Sequence, residues 1–289
     1  MNTAAVTFVD RERHPYHVDV VSIQSQVVYG RVGNNVAGPT LRRHGFKVAA
    51  VPTVLLSNNP QYPTVHGGAV PDEWLEGFLN DLVLRGALDK VRAVLIGYLG
   101  SANQAVIIAR WLKALLQEHP DTLVIVDPVI GDLDVGVYVD PALIPAYHET
   151  LLPLATGLTP NNYELSLLSQ QPCDTIQGSS SAAHALLNGR TEWVIATSAA
   201  PDSWQDGQIK LLMSRKEPRA DTLLSHPRVD CAAKGTGDLF ASTLLAHLIL
   251  GADLHSAVHT ASASVLHQLE LTRQAGHQEL ILPIDPFRA

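Results

Sequence analysis

Cysteine is scarce in this chain: Cys173 and Cys231 are the only two in 289 residues, far apart and without CxxC spacing. That excludes a disulfide framework and fits buried thiols in a reducing compartment. Positive charge is also short. The formal net charge is −8 and the basic residues are scattered, so the basic stripe of a nucleic-acid binder is missing and no nucleic-acid partner is expected. An acidic chain can still hold a polyphosphate through backbone N–H groups, a divalent metal or one placed lysine. Long apolar runs are absent as well. No stretch reaches the roughly 18–20 uninterrupted apolar residues of a spanning helix. The opening "MNTAAVTFVDRERHPYH" has neither a long apolar core nor a cleavage pattern. The expectation is a cytoplasmic protein with no membrane partner. No Gly/Ser linker, charge block or repeat divides the chain. With 46% hydrophobic and 17% charged residues there is material for a core, and residues 1–289 read as a single domain.

Several common signatures are missing too. There is no GxxxxGK[ST] phosphate loop, and GxGxxG fails at "GTGDLF", where Phe240 takes the third glycine position. "HETLL" has Leu152 where a zinc-protease helix needs its second histidine, and no GxSxG elbow occurs. The 13 histidines are dispersed and read as surface or helix residues.

What is present is an alternation of short apolar runs with helical ones. Val18–Ile23, Lys47–Leu56, Arg92–Gly97, Thr122–Val129 and Glu192–Ser198 are β-branched and not strictly alternating, as strands covered on both faces should be. "PDEWLEGFLNDLVLRG", "ANQAVIIARWLKALLQEH" and "SSSAAHALLNG" read as helices, the first between Pro71 and Gly86. Leu239–Leu250 and Ala252–Leu271 form two more, broken at Gly251. The pattern predicts an α/β fold: a three-layer αβα sandwich with a mostly parallel central sheet. In such sheets ligands bind outside the carboxyl ends of the strands. Ser25, Ser57, Tyr98, Asp127, Thr159 and Thr197 all follow or end apolar runs, so they are expected along that edge.

Three stretches carry candidate chemistry. In "KGTGD" (234–238), Asp238 could simply cap a helix. Alternatively, Gly235 and Gly237 let the backbone approach an anion, the N–H groups of Gly235 to Asp238 line a hole for it, and Asp238 stands ready to take a proton. Phosphoryl transfer needs those parts. In "TPNNYEL" (159–165), Asn161 and Glu164 fit a capping box, and Glu164 could equally serve as an outer-sphere partner of magnesium. "DPVIGD" (127–132) ends a buried strand on Asp127, which a turn alone does not explain; proximity to phosphates and metal would.

Taken in order, "SIQSQVVYGRVGNN", "VPTVLLSNNPQY", "IGYLG", "VDPVIGD", "LTPNNYEL", "VIATSA" and "KGTGDLF" resemble the ribokinase-like superfamily, and within it the bacterial pyridoxine/pyridoxal/pyridoxamine kinases. The resemblance spans nearly the whole chain. It implies an enzyme that transfers the γ-phosphoryl of ATP to the 5′-hydroxymethyl group of a B6 vitamer, with ATP and Mg²⁺ required, a monovalent cation left open, and a homodimer as the assembly. It implies Asp238 as catalytic base and Gly235, Thr236 and Gly237 as the anion hole. On the vitamer it implies Ser25, Val32, Gln61 and Tyr98, with Gln61 standing where relatives carry His or Gln. On the nucleotide and phosphate side it implies Asp127, Thr159, Asn161, Thr197 and Lys234, with Leu224, Ser225, His226 and Pro227 as a loop beside the adenine. Tyr138 and Glu164 match the metal region, and residues 131–139 match the flap over ATP. Rival readings are a hydroxymethylpyrimidine kinase, whose members open with a "DSSGGAG"-like stretch, and a non-catalytic carrier or sensor of pyridoxal phosphate. A sugar kinase lacks support, because the early glycine-rich block is missing.

Overall fold

The computed structural model describes residues 14–205 and 207–283; most of the N-terminal stretch read for a leader lies outside them. The chain opens with β1 (Val20–Tyr29), α1 (Asn34–Arg43), β2 (Val48–Asn58) and β3 (Gly67–Ala69). It continues through α2 (Asp72–Leu84), β4 (Ala93–Ile96), α3 (Ala102–Glu118) and β5 (Leu123–Val126). A two-stranded hairpin, β6 (Gly131–Asp132) and β7 (Gly136–Val137), precedes the short α4 (Leu143–Ala146), β8 (Gly157–Leu158), α5 (Asn162–Ser169) and α6 (Ile176–Ala185). The last elements are β9 (Trp193–Ala199), β10 (Gln208–Arg215), β11 (Ala220–Pro227), α7 (Thr236–Ile249) and α8 (Leu254–Ala275).

Nine strands form one sheet in the order β11-β10-β9-β8-β5-β4-β1-β2-β3. The inner neighbours from β9 to β2 all run parallel, while β3 and the β10–β11 pair add antiparallel edges. Strand periodicity explains the layers. Val21, Val94, Ile96, Val124 and Val126 pack against α2, α3, α5 and α6. Their neighbours Val20, Ala93, Leu95 and Ile125 pack on the opposite face against α1, α7 and α8. The three-layer αβα sandwich expected from the alternation is the observed fold.

The sequence pattern misses α1. Gly38 and Pro39 inside it read as helix breakers, yet Val36, Ala37 and Leu41 are fully buried, and that tertiary burial outweighs the local cost. It also places strand ends too early. β1 does not stop before Ser25 but runs on to Tyr29: its register against β2 shifts just after the Gln24–Pro52 pair, where Pro52 has no N–H for the ladder, and pairing then resumes from Gln26 to Tyr29. Ser57 and Thr197 likewise lie inside β2 and β9. "LSHP" is not a loop: Leu224, Ser225, His226 and Pro227 complete the edge strand β11, pairing with β10. Among the described residues no helix is long and apolar enough to cross a membrane.

Candidate active site

Residues along the carboxyl edge of the parallel strands converge on the first turn of α7. Gly235 caps that helix with φ 91° and, having no side chain, gives its first N–H groups no side-chain cap. Thr236 and Gly237 follow as its first residues, and Lys234 before it is exposed. A Cβ on Gly235 would lie 2.0 Å from the carbonyl oxygen of Arg31, so only glycine lets the 30–33 turn approach so closely. Across that contact, the backbone N–H of Gly33 comes near enough to Asp238 to favour its charged form. Asp238 is also the acidic residue in the first turn of its own helix, so both readings of it stand.

Gly33 is itself pressed onto Ser25. Its φ is +55°, and a Cβ there would sit 2.2 Å from Ser25 Oγ. Side chains of the "GNN" block hold this arrangement. Ser22 Oγ donates to Asn34 Oδ1 (2.8 Å), Asn34 Nδ2 donates to the carbonyls of Gln24 (3.2 Å) and Val51 (3.3 Å), and Asn35 Nδ2 donates to Val27 O (2.9 Å). Val32 lies half-buried in the turn. Tyr98, half-buried after β4, is held by its carbonyl, which accepts Thr53 Oγ1 at 2.6 Å; burial raises its phenol.

On the other side of Asp238 stands Asp127, buried at the end of β5. Its Oδ1 accepts Thr159 Oγ1 at 2.9 Å, and its Oδ2 would lie 3.3 Å from a Cβ on Gly237. Beyond it, Glu164 completes the expected capping box with Asn161. Glu164 Oε2 accepts Asn161 N–H and Oε1 accepts Ile130 N–H, each at 2.9 Å, while Asn161 Nδ2 donates to Gly131 O at 2.7 Å. The box thus ties α5 to the base of the β6–β7 hairpin. Tyr138, just after that hairpin, is 47% exposed, and the partial desolvation of its phenol, followed by the charges of Glu164, Asp127, Asp132 and Asp238, pushes it up.

The electrostatics follow from burial. Asp238 is pushed up to about 6 by desolvation, against the Gly33 N–H, which pulls it down. Burial and then the Asp238 charge raise Asp127, with the Thr159 hydroxyl opposing. Glu164 is raised by burial and by Asp127 despite its backbone donors. Three carboxylates thus crowd one another where a phosphate chain and a cation would relieve them. Among the described residues, no three His, Cys, Asp or Glu side chains converge closely enough to cage a metal.

Two groups of expected residues lie on other elements. Gln61 is exposed on the loop after β2, its amide 3.4 Å from Glu279 Oε1. Leu224, Ser225, His226 and Pro227 stand two strands outward from Thr197 of β9, whose N–H donates to Pro160 O at 3.0 Å. Sequence reasoning overlooked Gly33, Asn34, Asn35 and Glu279. The glycine and asparagines sat in a quoted block; Glu279 belongs to no motif.

Known proteins share this architecture. A pyridoxine/pyridoxal/pyridoxamine kinase of Bordetella bronchiseptica is 51% identical over 93% of this chain and 94% of its own. A pyridoxal kinase of Rubrobacter xylanophilus is 33% identical over 92% and 91%. The structure of Leishmania donovani pyridoxal kinase with ADP and pyridoxamine superposes with a TM-score of 0.83 at 27% identity, covering 91% of this chain and 90% of that one. The phosphomethylpyrimidine kinase family matches residues 40–283. With the fold, the glycine turn and this span in agreement, the chain belongs to that family.

Proposed function

We propose that this protein is an ATP-dependent kinase acting on the 5′-hydroxymethyl group of pyridoxal, pyridoxine and pyridoxamine, in pyridoxal 5′-phosphate salvage. The observation that carries the reading is the close packing of Gly235 on Arg31 and of Gly33 on Ser25, which brings Asp238, a carboxylate of raised affinity for protons, beside the turn that touches Ser25. The vitamer lies with its ring substituents on Ser25 and its ring against Val32, near Gln61 and Tyr98. Asp238 accepts the hydroxyl proton as that oxygen forms a bond to the γ-phosphorus and the bond to ADP breaks. The free N–H groups of Gly235, Thr236 and Gly237 stabilise the charge on the transferring phosphoryl, with Lys234 beside them. Asp127, Thr159, Asn161 and Thr197 face the nucleotide phosphates, and Leu224, Ser225, His226 and Pro227 border the adenine from the sheet edge.

The acidic cluster fits Mg²⁺, which keeps several waters and needs only one or two carboxylates beside substrate phosphates. Glu164, its oxygens already on backbone donors, and Tyr138 would hold it through water. Bound there, the ion would neutralise phosphate charge. Residues 131–139, the hairpin tied down by Glu164, form the flap over ATP.

The family is described as a kinase of phosphomethylpyrimidine, so a related pyrimidine, hydroxymethylpyrimidine, is the second acceptor to test. ATP-dependent phosphorylation measured across the three vitamers and hydroxymethylpyrimidine tests both. Product from the pyrimidine alone reassigns the enzyme, and no product from any acceptor leaves the carrier or sensor reading. We also propose a single-domain, cytoplasmic homodimer. One continuous sheet supports the first, and light scattering at micromolar concentration checks the assembly.

A further inference from the structure

After α8 the chain returns to the ring end of the site. Leu280 and Leu282, each 1% exposed, pack with Val36 of α1, Ala233 ahead of the glycine turn and Leu239 of α7. Ile281 between them donates its N–H to Thr272 Oγ1 at 2.9 Å. This anchored tail delivers the Glu279 carboxylate to two loops that are remote in sequence. Oε2 accepts the Arg31 N–H at 2.7 Å. Oε1 accepts the Tyr62 hydroxyl at 2.6 Å, Asn59 Nδ2 at 3.2 Å and Gln61 Nε2 at 3.4 Å. Gly30 leaves room for it: its φ is +122°, and a Cβ there would lie 3.3 Å from Glu279 Oε2. The Tyr62 ring is further fixed by an edge contact with Tyr29, with centroids 5.8 Å apart.

One carboxylate therefore fastens the turn that carries Val32 and Gly33 to the loop that carries Gln61. We propose that Glu279 is a positioning residue, holding the 30–33 turn and the 59–62 loop together as one wall of the vitamer site. The proposal rests on the vitamer-kinase reading. Four donors on one carboxylate make the wall pre-formed, and hydrogen bonds to a charged acceptor are the stronger kind. Without Glu279 the loops separate for part of the time, and apparent vitamer affinity falls by the fraction of time the wall is assembled. Saturating vitamer reassembles it, so turnover is spared. The nucleotide end, fixed by β5, β8 and α5, is untouched.

The test is steady-state kinetics of Glu279→Ala, Glu279→Gln and Tyr62→Phe, with amide hydrogen exchange on the same proteins. Glu279→Ala should raise the vitamer KM about tenfold or more, while kcat and the ATP KM stay within about twofold. Glu279→Gln, whose amide oxygen still accepts, should recover part of the loss. Tyr62→Phe should raise the vitamer KM by less, and add little in the Glu279→Ala background. Exchange, which needs no turnover, should quicken at 30–33 and 59–62 in Glu279→Ala. Unchanged exchange, an unchanged vitamer KM, or a joint loss of kcat and both KM values would overturn the role. Should Glu279→Ala fail to fold, unchanged KM values in both Glu279→Gln and Tyr62→Phe overturn it equally. If the wild-type protein phosphorylates no vitamer, the kinase reading falls instead, and exchange still judges the brace.

Discussion

At the phosphate end of the site, Asp127, Thr159, Glu164 and Asp238 each stand within a few residues of the end of a regular element. At the end proposed for the ring, Ser25 lies inside β1 opposite the extra residue of β2, Val32 in a turn and Gln61 in a loop, and the brace comes from the segment after α8. The first end is assembled by parallel strands delivering their carboxyl termini to one edge, so its geometry follows from the fold. The second is assembled by long-range side-chain contacts and can drift without unfolding the sheet. In the proposed reading, chemistry falls on the rigid end and ring selectivity on the end held by side chains.

The largest effect should come from breaking the rigid end. Asp238→Asn should cut kcat by about 10²–10⁴-fold, the usual contribution of a general base, with ATP binding by titration calorimetry retained. Near-normal turnover in the folded variant would remove Asp238 from the mechanism. The same substitution should not lower thermal stability at neutral pH. Because Asp238 is pushed up to about 6 from an ordinary 3.8, the folded protein keeps a proton there in a window where the unfolded chain has lost it. Stability from this group is therefore greatest below that window and falls as pH rises through about 6. Melting curves of the wild type between pH 5 and 8 should carry that slope, and Asp238→Asn should flatten it.

Next in size are the two glycines where the ends meet. Gly235→Ala would place a Cβ 2.0 Å from Arg31 O, and Gly33→Ala one 2.2 Å from Ser25 Oγ, both at positive φ. Each backbone strain costs about 1–3 kcal/mol before the clash is relieved. Both variants should melt several degrees lower and lose most turnover, because the Asp238–Gly33 contact opens. A variant that keeps both stability and turnover would show that the ends are not coupled there.

That division also decides what could be read from the sequence. The strand–helix alternation gives the sandwich, and apolar runs ending on Asp127 and Thr159 give the phosphate edge, because both signals are local. Asp238 was legible as chemistry only in part. Its first-turn position suggests capping, while the Gly33 N–H that also acts on it lies in a different element. Helix α1 was hidden by Gly38 and Pro39, since burial of Val36 and Leu41 is a property of the folded state. "LSHP" carries loop-like residues but pairs along β10, where backbone pairing overrides side-chain preference. Glu279 was invisible because its partners lie 217–248 residues away, so no short-range pattern records them.

A smaller effect should come from Thr159→Val, which keeps shape and removes the hydroxyl donating to Asp127 Oδ1. That hydroxyl is the one contact lowering Asp127 against burial and the Asp238 charge. Without it Asp127 should hold its proton to higher pH. The acidic limb of kcat/KM should then move upward by up to about one pH unit, the equivalent of one ordinary hydrogen bond. An unmoved limb would mean that bound nucleotide and cation, rather than Thr159, set the charge of Asp127.

Gln61→Ala should have the smallest effect, and it probes the adjustable end while removing only the longest bond of the brace. Its amide reaches Glu279 Oε1 at 3.4 Å, longer than the 2.6 Å bond from Tyr62, and the side chain is exposed. As a contributor to the brace alone it is worth well under about 1 kcal/mol, so the vitamer KM should rise less than about threefold. If instead the KM rises tenfold or more with exchange at 59–62 unchanged, Gln61 binds the ring directly and the loop closes further over the substrate than it does here. Kinetics and exchange taken together on this one variant therefore separate a residue that holds the wall from one that is part of its binding face.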